Sequence, residues 1–213
     1  ARLRRSCELI GLTSPLQDAE WEMILGEMLR RNQLLDAGFR LTISRGPGEM
    51  GIDPGLCTHP TVVVMAKVPS SYPDEMREQG VQLALVSVRR NPLAAQSPHI
   101  KSLSFLNNIL AKQEATRAGA FDALMLNMEQ HVTECTTSNI FFVTQGKVCT
   151  PSSECGILEG ITREVIMGLA RELGFSVEEG QYEADVLFRS EECFITNTGM
   201  EVMSVSRICL LYT

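Results

Sequence analysis

Strand-like and helical segments follow one another along this chain in mixed order, with no internal repeat, and that order predicts an α+β fold. Two further observations divide it. The stretch Asn91-Pro92-Leu93-Ala94-Ala95-Gln96-Ser97-Pro98 has two prolines, small residues between them and no periodicity, which marks a linker. A length of 213 residues is enough for one large or two small hydrophobic cores. We therefore expect a small domain over residues 1–90, a linker over 91–98 and a larger domain over 99–213.

The first helix is signalled by Ser14 as N-cap, Pro15 at its first position and Gln17 closing a capping box. Trp21, Ile24, Leu25, Met28 and Leu29 then recur at helical spacing, and Gly38 stops the run. Phe39 to Ser44 alternates as a strand, and residues 61–66 and 81–86 are apolar runs of strand length. Between the first two strands, Arg45 to Gly55 is too rich in glycine and proline for either element and reads as a shaped loop. Past the linker, Leu103, Leu106, Leu110 and Ala111 predict a helix that ends at Gly119, followed by a strand over 121–126. Residues 140–143 and 147–150 flank Gln145-Gly146 as a hairpin. A helix with Ile161, Val165, Leu169 and Leu173 on one face closes at Gly174, and strands at 193–196 and 202–205 surround a turn at Thr198.

Three local patterns carry chemistry. Lys101 opens Lys101-Ser102-Leu103-Ser104-Phe105-Leu106-Asn107-Asn108, at the mouth of an amphipathic helix. Glu134 is the lone acid in Val132-Thr133-Glu134-Cys135-Thr136-Thr137-Ser138-Asn139. Gly160-Ile161-Thr162-Arg163 introduces a periodic helix whose first amides are available to a phosphate. An amine to condense with an aldehyde, an acid to keep a ring nitrogen protonated and a phosphate clamp are what a pyridoxal phosphate site needs. Each also has a plainer reading. Lys101 alone would be a solvated surface residue, Glu134 a strand-end carboxylate and Ile161-Thr162 an ordinary helix start. Thr136, Thr137, Ser138 and Asn139 read equally as turn residues and as pocket lining.

The order and wording of these motifs resemble the class IV pyridoxal phosphate enzymes, which include branched-chain aminotransferases, D-amino acid aminotransferases and aminodeoxychorismate lyase. The resemblance runs over nearly the whole chain and is densest from Arg89 to Val205. It implies pyridoxal 5'-phosphate as cofactor, with Lys101 as the Schiff-base lysine and Glu134 as the partner of the pyridine nitrogen. Ile161 and Thr162 would clamp the phosphate, with Thr198 as a second phosphate contact. Leu158 aligns with a leucine that packs on the cofactor ring, with core packing as the equal alternative. Arg2 matches an arginine that reaches the phosphate, although beside Arg4 and Arg5 it also reads as a basic turn. The implied architecture is a small domain before the linker and a larger, barrel-like β domain after it. That fold would be truncated at both ends, since the chain starts within the small domain and stops at Ile208 to Thr213 where relatives continue.

The resemblance implies an aminotransferase moving an amino group between an amino acid and a 2-oxo acid. A lyase eliminating pyruvate is the runner-up, and a non-catalytic cofactor-binding homologue the alternative of another class. The tyrosine that familiar branched-chain enzymes place five residues after the lysine is here Leu106, and Met50 and Ile52 stand where D-amino acid aminotransferases trap a carboxylate. Thr133-Glu134-Cys135 and Arg90-Asn91-Pro92-Leu93 are similar to the lyase. A homodimer is implied by the family alone.

Composition sets outer bounds. A net charge of −7 gives no basic face for nucleic acid, and no apolar run approaches the length needed to span a bilayer. No apolar signal core follows the amino terminus, so we expect a cytoplasmic protein. Seven cysteines without a Cys-x-x-Cys pair read as free thiols packed as small hydrophobes. The three histidines are scattered, and we expect no metal.

Overall fold

The computed structural model describes residues 2–69 and 71–211. Ala1, Ser70, Tyr212 and Thr213 lie outside the described residues. The chain divides into two compact units, Ala1–Ser71 and Tyr72–Thr213.

In the first unit, α1 (Arg2–Leu9) and α2 (Asp18–Asn32) precede an antiparallel pair, β1 (Gly38–Ser44) and β2 (Thr61–Lys67). The capping box of α2 forms three residues later than the sequence suggests. Gln17 is the N-cap, and its backbone N–H donates to Glu20 Oε2 at 2.7 Å, while the Ser14 hydroxyl bonds the Leu16 carbonyl. Two candidate caps lie within four residues, and the one with a glutamate three positions on is the one that closes. The helix ends at Gln33 in the left-handed region, φ 55°, so Gly38 is free to open β1. The helix at Arg2–Leu9 was not signalled by any apolar period.

The second unit begins with α3 (Asp74–Gln79) and β3 (Val81–Leu85), then α4 (Leu106–Arg117) and β4 (Asp122–Leu126). There follow β5 (Val132–Cys135), β6 (Asn139–Thr144), β7 (Lys147–Pro151), α5 (Ile161–Glu172), β8 (Ser176–Gly180), α6 (Asp185–Phe188), β9 (Glu192–Asn197) and β10 (Glu201–Leu210). The strands lie in the order β5-β4-β3-β10-β9-β6-β7-β8, and a further β5–β6 pairing closes six of them into a barrel. The expected hairpin forms between β6 and β7, with Gln145 and Gly146 both at positive φ, 51° and 70°. β3 pairs in parallel with β4 on one side and β10 on the other. Residues 81–85 are thereby central to the second unit, so the division falls at 71/72, and the segment 91–98 lies within that unit.

Strand period two sorts the core. Leu83, Leu85, Leu124, Leu126, Ile140, Phe142 and Ile195 face one cluster. The alternate positions Ala84, Val86, Ala123 and Met125 pack on Ala111 and Ala115 of α4, and Phe141 and Val148 pack on Met167 and Ala170 of α5. Both helices bury a face other than the one their large aliphatics suggest. Leu106 and Leu110 of α4, and Val165, Leu169 and Leu173 near or in α5, remain 44% or more exposed. Small alanines let α4 lie close on the sheet, which leucines at those positions would prevent.

Candidate cofactor site

Glu134 sits on β5 directly opposite Asn139 of β6, at the pairing that closes the barrel. A short turn joins the two strands, with Cys135 N–H donating to the Ser138 carbonyl at 2.8 Å. The carboxylate is 5% exposed and both oxygens are occupied. Oε1 accepts from Arg90 Nε at 3.0 Å and lies 2.9 Å from Arg90 Nη2. Oε2 accepts from Leu158 N–H at 3.0 Å and from Asn139 Nδ2 at 3.2 Å. Burial pushes its pKa up to about 7, opposed by Arg90, by the Leu158 amide and by the charge of Lys101. Lys101 itself is exposed on the segment leading into α4.

Leu158 is held through its backbone, since its carbonyl also accepts from Asn139 Nδ2 at 2.9 Å. Two residues later Gly160 is the N-cap of α5. A Cβ there would fall 2.2 Å from Asn139 Oδ1, so only glycine permits this approach. Ile161 and Thr162 are the first two residues of α5, where backbone N–H groups have no partner within the helix. Arg163 is buried and structural: it donates to the Pro151 carbonyl at 2.9 Å and to Glu179 Oε2 at 2.7 Å, tying the helix start to β7 and β8.

Thr198 is exposed at the tip of the β9–β10 turn. Asn197 Oδ1 accepts from the amides of Gly199 and Met200, and its Nδ2 donates to the Thr137 carbonyl at 3.3 Å. The Thr198 turn is therefore tied to the turn that follows Glu134. Lys101, Glu134, Leu158, Ile161, Thr162 and Thr198 all belong to the second unit, whereas Arg2 lies half-buried on α1 of the first. Sequence reasoning missed Arg90, Asn107 and Asn108 as site residues, although both asparagines stand in the Lys101 motif and Arg90 in a motif similar to the lyase.

The sequence model of amino-transferase class IV matches residues 1–208. The chain belongs to the class IV aminotransferase family. It is 39% identical over 207 residues to a Methanocaldococcus jannaschii protein named for branched-chain-amino-acid aminotransferase activity, covering 97% of this chain and 71% of that one. A D-alanine aminotransferase of Bacillus licheniformis is 32% identical, covering 98% and 71%, and an aminodeoxychorismate lyase of Bacillus subtilis is 29% identical, covering 97% and 70%. The structure of a branched-chain amino acid aminotransferase from T.th. with pyridoxamine 5'-phosphate superposes with a TM-score of 0.92 at 31% identity, covering 97% of this chain and 68% of that one.

Members of this family use pyridoxal phosphate, and the residues present fit it. The lining holds a buried carboxylate, bonded to Arg90, Leu158 and Asn139, and a helix N-terminus opened by a glycine that leaves no room for a Cβ. Thr196 Oγ1, on the strand position paired with Asn139, is buried with no hydrogen-bond partner among the described residues. Among those residues, no helix is long and apolar enough to cross a membrane.

Proposed function

We propose that this chain is an aminotransferase that moves an amino group between an amino acid and a 2-oxo acid. One observation carries the reading: in a chain of the class IV family, a fixed, buried Glu134 is bonded to the backbone two residues before the N-cap of α5. Pyridoxal phosphate supplies an aldehyde carbon and a ring that accepts electron density from the substrate α-carbon. Lys101 would hold that aldehyde through its amine, and as a free amine it would serve as the base and acid for the substrate α-proton. Glu134 keeps the ring nitrogen protonated. The amides of Ile161 and Thr162 would hold the phosphate at the positive end of α5, with Thr198 as a further contact.

The family also contains a lyase, and the two reactions part at one point. Transfer leaves nitrogen on the cofactor, while elimination does not. Holoenzyme mixed with L-leucine and no oxo acid should convert its cofactor to the amine form in one stoichiometric step, read by absorbance. Catalytic release of pyruvate from aminodeoxychorismate, with no amine form accumulating from any amino acid, would overturn the transfer reading in favour of the lyase.

A further inference from the structure

We propose that Arg90 is a positioning residue that holds Glu134 ionised for the cofactor ring nitrogen, and that Asn107 and Asn108 hold Arg90 in turn. The inference rests on the reading of Glu134 given above. Arg90 is 8% exposed, and two of its nitrogens converge on one oxygen, Glu134 Oε1, from 44 residues away in sequence. Its third nitrogen, Nη1, donates to Asn107 Oδ1 at 3.1 Å and lies 3.4 Å from Asn108 Oδ1. Those amides are fixed themselves. Asn107 Nδ2 donates to the Arg89 carbonyl at 2.8 Å, and Asn108 Nδ2 to the Thr136 carbonyl at 2.7 Å. Asn107 Oδ1 also accepts from Asn91 N–H at 3.3 Å.

All three guanidinium nitrogens are thus committed, and the planar fork has a set orientation that a lysine could not reproduce. The Lys101 segment therefore has two tasks. It brings the amine, and through Asn107 and Asn108 it braces the cation beside the ring-nitrogen partner. A carboxylate this buried favours its neutral form, because ionised oxygen is costly away from water. With Arg90 beside it, the shared proton rests on the ring nitrogen and Glu134 stays anionic. Without Arg90, the same proton moves to the carboxyl group and leaves the ring nitrogen neutral. No other reactant is needed for that transfer.

The test follows the ring nitrogen by NMR in holoenzyme loaded with isotopically labelled pyridoxal phosphate, for the native chain, R90M, R90K, E134Q and the double variant R90M/E134Q. The native signal should sit at the protonated position, and both E134Q and R90M should move it to the neutral one. R90K should restore it in part. The double variant should match E134Q, because the two residues act through one proton. In R90M, kcat should fall by on the order of tenfold or more with the donor KM little changed, the pattern of a group felt in the transition state. Should R90M not fold, R90Q keeps a donor without the charge and carries the same expectation. A neutral ring in E134Q with a fully protonated ring in R90M or R90Q would overturn the role of Arg90 and leave the Glu134 reading standing. A protonated ring in E134Q would overturn both.

Discussion

Glu134 shows what can be tested at a single side chain. Replacing it with glutamine keeps the shape and the bonds to Leu158 and Asn139 but removes the charge that favours a protonated ring. The loss in kcat should be about two to three orders of magnitude, with cofactor affinity changing far less. Equal losses in both would show that the residue only shapes the pocket. The cofactor-free protein gives an independent check through pH. Burial raises the Glu134 pKa in the folded chain to about 7, while an unfolded glutamate titrates near about 4.3. Between those values the folded state keeps a proton that the unfolded state has released, so this contribution to stability is full on the acid side and is lost as pH rises through the window. Denaturant midpoints of native protein and Glu134→Gln across that range should show the decline in the first only. Identical slopes would contradict the raised pKa. Lys101 and Glu134 stood out in the sequence only through the motifs that carry the family resemblance, since each taken alone has a plainer reading. Arg90 was not, because an arginine beside asparagine and proline reads as surface until its partner 44 residues away is known.

Gly160 links a residue to an element. Its φ of −71° suits any amino acid, so its constraint is purely the 2.2 Å approach of a Cβ to Asn139 Oδ1. Gly160→Ala should shift the start of α5 and weaken cofactor binding, at a stability cost of about 1–3 kcal/mol for the overpacking. Adding Asn139→Ala should recover part of the stability, since it removes the atom that clashes. Failure of that recovery, measured in a double-mutant cycle, would place the strain elsewhere. The faces of the helices give a second test. Met167 is 7% exposed on α5, whereas Val165 and Leu169 are 51% and 48% exposed. Met167→Ala should cost about 2–5 kcal/mol, and Val165→Gln or Leu169→Gln about 0.5 kcal/mol or less in this chain. Thermal unfolding that ranks them the other way would restore the face that the aliphatic spacing suggested. Periodicity identified both helices correctly but could not choose the packing face, because small residues such as Ala111, Ala115 and Ala170 carry little hydrophobic signal yet allow the closest approach to a sheet.

At the scale of the molecule, the strands were legible and their partners only partly so. The β6–β7 hairpin follows from adjacent residues and a two-residue turn. The pairing of β3 with β10 joins Val81 to Val205, and no local pattern announces it. The same pairing explains why the first compact unit ends near residue 71, while the proline-rich stretch at 91–98 serves as the approach to Lys101. Barrel closure through Glu134 and Asn139 means that the strand pairing and the site share a contact, so cofactor binding should stabilise the second unit. Its melting temperature should rise with added pyridoxal phosphate. Lys101→Ala should lose less of that rise than Gly160→Ala does if the phosphate clamp carries most of the affinity, and the reverse order would assign the affinity to the lysine.

The most direct test of the site as a whole is where the cofactor attaches. Holoprotein treated with borohydride, digested and mapped by mass spectrometry should carry the reduced phosphopyridoxyl group on Lys101. The label on Lys112, whose ammonium is engaged by the Phe121 carbonyl, or on Lys147, which pairs with Glu178 at 3.0 Å, would contradict the assignment of Lys101 and with it the account of the site.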